Sequence, residues 1–214
     1  MIDIIIFISL MITFFFINRE EDNNKNLNYI VNKKFNNNLI IITDKEKCNL
    51  ENELIIDIND DVSFIKRYSM VNINDDIHII IYCRGGNIES SDCILNILLT
   101  HKGKINIYVP YLAYSAGTML ALCADNLYMN TYSLLSPVDP QIEFDNNDDL
   151  TPVISYIKHA RYKGLSNLSV NDTLRYYECK RLYDDNIRNL KRILSPKYSK
   201  QKLNIIVKEL GRGY

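Results

Sequence analysis

Apolar residues in this chain gather into short unbroken runs, separated by polar stretches with a helical repeat. After residue 38 the clearest runs are Leu39–Thr43 (LIIIT), Ile77–Cys83 (IHIIIYC) and Ile105–Val109 (INIYV). Apolarity that does not alternate predicts strands covered on both faces, as in a parallel sheet. Between the last two runs, Ile88, Ser91/Asp92, Leu95, Leu98 and Leu99 fall at helical spacing within Asn87–Lys102, and Gly103 is a stop signal. This is a βαβ unit, which implies parallel strands and a right-handed crossover. Ala116–Asp125 is apolar on nearly every side and predicts a buried helix, and Leu127–Met129 a short strand. Pro137 and Pro140 frame a rigid turn. Thr151 as N-cap, Pro152 at the first helical position and Gly164 at the far end predict a helix over Pro152–Lys163. Val170–Ile193 then reads as a long charged helix and Lys200–Leu210 as a shorter amphipathic one.

The amino-terminal pattern is different. Ile4–Ile17 (IIIFISLMITFFFI) carries no charge and no helix breaker. As a helix it is about 21 Å long, against roughly 30 Å of hydrocarbon, and extending it over 1–18 brings it to about 27 Å. A signal peptide needs a basic start and a small-x-small cleavage site, and both are missing. A buried core helix needs an amphipathic face, which Phe14-Phe15-Phe16 among isoleucines denies. The run therefore reads as an uncleaved, single-pass membrane anchor. Arg19, Lys25, Lys33 and Lys34 follow it, so the positive-inside rule puts the rest of the chain on the cytoplasmic side. The expected organisation is an anchor over 1–18, a polar Asn-rich tether over 19–38, and an α/β domain over 39–214.

Charge narrows the partners. Lys+Arg 25 against Asp+Glu 26 leaves no general attraction for nucleic acid, and no basic stripe interleaved with aromatics occurs. The five cysteines, Cys48, Cys83, Cys93, Cys123 and Cys179, are scattered, without a C-x-x-C pair. That spacing indicates neither a zinc site nor a disulfide framework and suits a reducing compartment. No metal or cofactor is expected, and the sequence carries no dinucleotide fingerprint.

The candidate chemistry lies between residues 79 and 141. Ser115 stands in a small-residue turn immediately before an apolar helix, one residue away from the G-x-S-x-G elbow pattern. Its bland reading is a helix cap. Gly85-Gly86 ends the neighbouring strand, and in a parallel sheet both loops open at the same edge. The N–H groups of Gly86 and Ala116 are then candidates to hold one oxyanion. The base is less evident. His78 starts a buried strand, and His101 sits at a helix C-terminus, where a cation is favoured. Lys158 and His159 are neighbours on the capped helix and point about 100° apart. Lys158 lies on the stripe Ile154, Ile157, Lys158, Arg161, where lost hydration would lower its pKa and make it a base. A solvated surface lysine is the alternative, and spacing does not separate the two. Asp139, between the prolines, reads first as a structural turn residue, second as a group that orients the base.

The stretch PYLAYSAGTMLALCADNLYMNTYSLLSPVDPQ resembles the serine dehydrogenase proteinase family, membrane-associated ClpP-like, crotonase-type serine peptidases related to the SppA signal peptide peptidases. The matching positions are Gly85-Gly86, Ser115-Ala116-Gly117-Thr118, Ala124-Asp125 and Pro137-Val138-Asp139-Pro140-Gln141. The resemblance implies a ClpP/crotonase-like α/β fold with a mainly parallel sheet and flanking helices. It also implies a serine endopeptidase with Ser115 as nucleophile, Gly86 and Ala116 as oxyanion donors, and Lys158 as base in ISYIKHA. A peptide substrate and a homo-oligomer follow from it as well. Arg84 replaces the family's proline and Ser136 its glycine, and relatives continue past the last residues, 211–214. Two rival functions stand beside this one: an inactive scaffold of the same fold, and an esterase using Ser115, Asp139 and His159. A CoA-binding hydratase is more distant, since that chemistry has no call for Ser115.

Overall fold

In the computed structural model, residues 38–43, 56, 60–144 and 147–211 are described. They belong to two compact units, Met1–Leu135 and Ser136–Tyr214. The expected anchor and all of the tether but Asn38 lie outside the described residues. Among the described residues no helix is long and apolar enough to cross a membrane.

The first unit is built on the isoleucine runs. Strands β1 (Leu39–Thr43), β2 (Ile77–Tyr82) and β3 (Ile105–Val109) lie side by side in one sheet. They are parallel, with Ile41 opposite Ile80 and Ile79 opposite Ile107. Ile77, Ile79, Ile81 and Ile107 are completely buried, as unbroken apolarity predicts. Helix α1 (Asp60–Tyr68), which the apolar runs did not predict, precedes β2, and Phe64 is its buried residue. Helix α2 (Ile88–Thr100) connects β2 to β3 and starts at Asn87, whose side chain accepts the Ser90 N–H at 2.9 Å.

Past β3 the path departs from a plain βαβ repeat. A two-residue strand, β4 (Leu112–Ala113), leaves the main sheet and pairs with β6 (Leu134–Leu135). Helix α3 covers only Ala116–Ala121, not the predicted Ala116–Asp125. Asp125 is claimed by the sheet instead. Its N–H donates to Ile105 O at 2.8 Å, and its carboxylate accepts the Ile105 N–H at 2.8 Å. That double bond to the first residue of β3 launches β5 (Asn126–Met129) alongside it, in parallel. Helix continuation loses to two backbone partners at a strand start.

The second unit opens with a hairpin the sequence did not advertise. β7 (Gln141–Phe144) and β8 (Asn147–Pro152) pair antiparallel, with Ile142 opposite Thr151. Thr151 is therefore a strand residue and not the expected N-cap. Helix α4 (Val153–Lys163) starts one residue late, with Pro152 at the cap position, and the Val153 N–H is satisfied by Pro140 O at 2.9 Å. The hairpin supplies through a loop carbonyl what a threonine hydroxyl would have supplied. Helix α5 (Val170–Leu194) is capped by Ser169, which accepts the Asp172 N–H at 3.1 Å. Helix α6 (Lys200–Leu210) follows. Val153, Ile157 and Ala160 of α4 pack against Tyr176 and Cys179 of α5 as the local core.

Candidate active site

Three backbone contacts shape the turn at Ser115. The Cys83 N–H donates to Leu112 O at 3.3 Å, and the Tyr114 N–H donates to Cys83 O at 3.0 Å. The end of β2 thus holds the chain extended through residue 114. The helix begins two residues later, and the Gly117 N–H already turns back to Tyr114 O at 2.8 Å. Ser115 absorbs the whole change of direction. Its φ is 49° and ψ −114°, and among the described residues it is the only non-glycine with positive φ. Such a conformation costs roughly 1–2 kcal/mol and persists only where the surroundings over-determine it. Thr118 completes the clamp, donating from its buried hydroxyl to Ala113 O at 2.7 Å. Gly117 lets α3 come close, since a Cβ there would lie 2.6 Å from Cys83 Sγ. Ser115 is the N-cap residue of α3, as its bland reading expects, but its side chain makes no capping bond to the helix. Its residue is half-buried.

Gly85 and Gly86 adjoin this turn. A Cβ on Gly85 would stand 3.0 Å from Ser115 Cβ and 3.5 Å from its Oγ. Gly86, at φ 139°, forms a parallel bridge with Ile56. Ile56 donates to Gly85 O at 2.6 Å and accepts the Asn87 N–H at 2.8 Å. The residue between those two bonds directs its own N–H and C=O to the opposite side. The Gly86 N–H therefore faces away from Ile56. Ala116, the first residue of α3, has no intrahelical acceptor for its N–H. The first unit thus brings together Ser115, Ala116 and the glycine pair.

The second unit holds the candidate bases. Val138 is latched on both sides: its N–H donates to Leu210 O at 2.8 Å, and its carbonyl accepts Asn186 Nδ2 at 2.7 Å. Asp139 follows it, and its Oδ1 is buried with no hydrogen-bond partner among the described residues. Burial pushes this carboxyl up to about 6, against the opposing pull of the Lys158 charge. Lys158 itself is exposed, which corrects the expectation of a dehydrated stripe. The face that α4 buries runs through Val153, Ile157 and Ala160, and Lys158 is turned out of it. His159 is exposed as well. The other two histidines are structural. His78 Nδ1 lies 3.0 Å from the Tyr108 hydroxyl, and burial lowers the pKa of the ring. His101 bridges the Tyr68 hydroxyl at 2.9 Å and Asp75 O at 2.8 Å. Among the described residues no three His, Cys, Asp or Glu side chains gather as a metal site requires.

A family model of ClpP-like SDH-type serine proteinases matches residues 1–214. The chain belongs to that family. Two uncharacterized Methanocaldococcus jannaschii proteins are similar to this chain. MJ0137 is 26% identical over 159 residues, covering 74% of this chain and 53% of its own length. MJ1495 is 27% identical over 158 residues, covering 74% and 52%. The chain thus spans about half the length of the curated relatives it matches. Among solved structures, ClpP1 from Listeria monocytogenes aligns with a TM-score of 0.52 at 16% identity, covering 86% of this chain and 85% of that one. That likeness establishes a ClpP-like α/β fold with a mainly parallel sheet and flanking helices.

The sequence places Asp139 between two prolines in the matched motif and does not signal the buried state of its Oδ1.

Two outcomes follow from this geometry. A Cβ at Gly86 would sit 2.3 Å from the backbone N and O of Ile56. Gly86→Ala should destabilise the fold by about 2–4 kcal/mol, measurable by urea denaturation. Asp139 binds its proton more tightly folded than unfolded, where a carboxyl titrates near 3.9. Its contribution to stability therefore falls as pH rises from about 4 to 6. Asp139→Asn should raise stability by about 1 kcal/mol at pH 7.5, after allowance for solvent screening, with the gain vanishing near pH 4. Thermal melts at the two pH values check this.

Proposed function

We propose that this protein is a membrane-anchored serine endopeptidase working with a Ser115–Lys158 dyad. The observation that carries the reading is the strained backbone of Ser115, beside a glycine pair and a helix start. A fold has little structural reason to hold a serine at positive φ unless its hydroxyl is to be presented. In the proposed reaction the Lys158 amine takes the Ser115 proton, and Ser115 Oγ attacks a peptide carbonyl. The Gly86 and Ala116 N–H groups hold the resulting oxyanion; one such donor is worth roughly 2.7–4 kcal/mol. The ammonium returns its proton to the leaving amine, and water then hydrolyses the acyl-enzyme. The stretch ISYIKHA, which resembles the lysine-bearing stretch of related membrane peptidases, supports the lysine over His159 as base. Family membership supports peptide bonds as substrate over simple esters.

The anchor over 1–18, a cytoplasmic location and residues 39–214 acting as one peptidase domain complete the proposal. A homo-oligomer belongs to it too. Its support is the first half of α5, where Val170, Leu174 and Tyr177 stand exposed by 77%, 65% and 60% at helical spacing. A second copy of the chain is the proposed cover.

A serine-directed fluorophosphonate probe should label the full-length protein in detergent. Ser115→Ala should lose the label entirely. Lys158→Ala should slow it by on the order of 10²–10⁴-fold, with His159→Ala near wild type. Loss confined to the histidine variant would establish the esterase triad, and no labelling at all the inactive scaffold. For assembly, Leu174→Glu with Tyr177→Glu should lower the mass seen by light scattering; an unchanged mass would remove this face as the interface.

A further inference from the structure

Asp139 is placed with more care than a turn aspartate needs. The residue before it is latched through both its backbone groups, to Leu210 and to the buried Asn186. The residue after it, Pro140, gives its carbonyl to Val153, the first residue of α4. The loop is thereby tied to the start of the helix that carries Lys158. Lys158 lies five residues beyond Val153, about 7.5 Å along the helix axis. Side chains on a helix lean toward its N-terminus, the end to which the loop is tied. His159 projects about 100° away around the same helix. Against this stands one buried carboxylate oxygen, Oδ1, with no hydrogen-bond partner among the described residues. An acceptor oxygen left in that state costs about 1–3 kcal/mol, and a fold that retains one has a use for it.

We propose that Asp139 is a positioning residue for Lys158, holding the ammonium that forms when the amine takes the Ser115 proton. The inference rests on the Ser–Lys reading. As the bond from Ser115 Oγ to the substrate carbon forms, the hydroxyl proton passes to Lys158 Nζ, and a positive charge appears there. When the substrate C–N bond breaks, that same proton leaves with the amine. Asp139 takes up no proton in either step. Its carboxylate stabilises the cation between them and restricts where the flexible lysine stem can put its amine. The buried oxygen is the stability sacrificed for that arrangement.

Two measurements on the full-length protein in detergent test this. The first follows the Asp139 carboxyl by carbon NMR as pH is varied. Removing the lysine charge in Lys158→Met should move its titration upward by about one unit; an unmoved titration would overturn the pairing whatever the activity. The second measures the rate of fluorophosphonate labelling against pH. Asp139→Asn should lower the plateau about tenfold. Asp139→Glu should recover part of the plateau. An Asn variant with the plateau of the wild type would refute the positioning role. Absence of labelling in the wild type sinks the peptidase reading, and with it the catalytic part of this inference; the NMR shift then reports on the pair alone.

Discussion

The hydrogen bonds between Cys83 and residues 112 and 114 are the constraint on which the candidate site depends. They keep the chain extended up to Tyr114, while α3 demands helical geometry from Ala116 onward. One residue is left to reconcile the two, and Ser115 does so at a φ that side chains avoid. The strain is not local to the serine. It is held by Thr118 from below and by the closeness of Gly117 to Cys83. Gly85 and Gly86 then have to be glycines because Ser115 and Ile56 crowd them.

A second constraint of the same kind operates around Asp139. Prolines limit the loop's own freedom, and Asn186 and Leu210 take up the backbone groups of Val138. The outcome is a carboxyl whose burial raises it to about 6 and whose Oδ1 has no hydrogen-bond partner among the described residues. In both places a short segment is over-determined by its neighbours, and a side chain is kept in a state it would leave if released.

Residue patterns were informative wherever burial on both faces governs structure. The runs at 39–43, 77–83 and 105–109 became neighbouring parallel strands, and α2 lies where its apolar spacing put it. They failed where a partner distant in sequence decides. Asp125 looked like the end of a helix but is bound to Ile105, twenty residues earlier. Thr151 has the chemistry of a cap but is taken by pairing with Ile142. Lys158 sits among apolar letters, yet the buried face of α4 passes it by.

For the site, the sequence by itself singled out Ser115 and the glycine pair as candidates and left Asp139 first as a structural turn residue, because small residues and prolines leave a mark readable at short range. It also carried the family likeness. Only tertiary structure decided that Ser115 is bent into positive φ, that Gly86 must lack a side chain, and that one Asp139 oxygen is buried without a donor among the described residues. Each of those facts arises from contact between segments that lie far apart along the chain. Local preference sets which conformations are cheap, whereas strain and an unmet hydrogen bond exist only once other parts of the fold forbid the cheap ones.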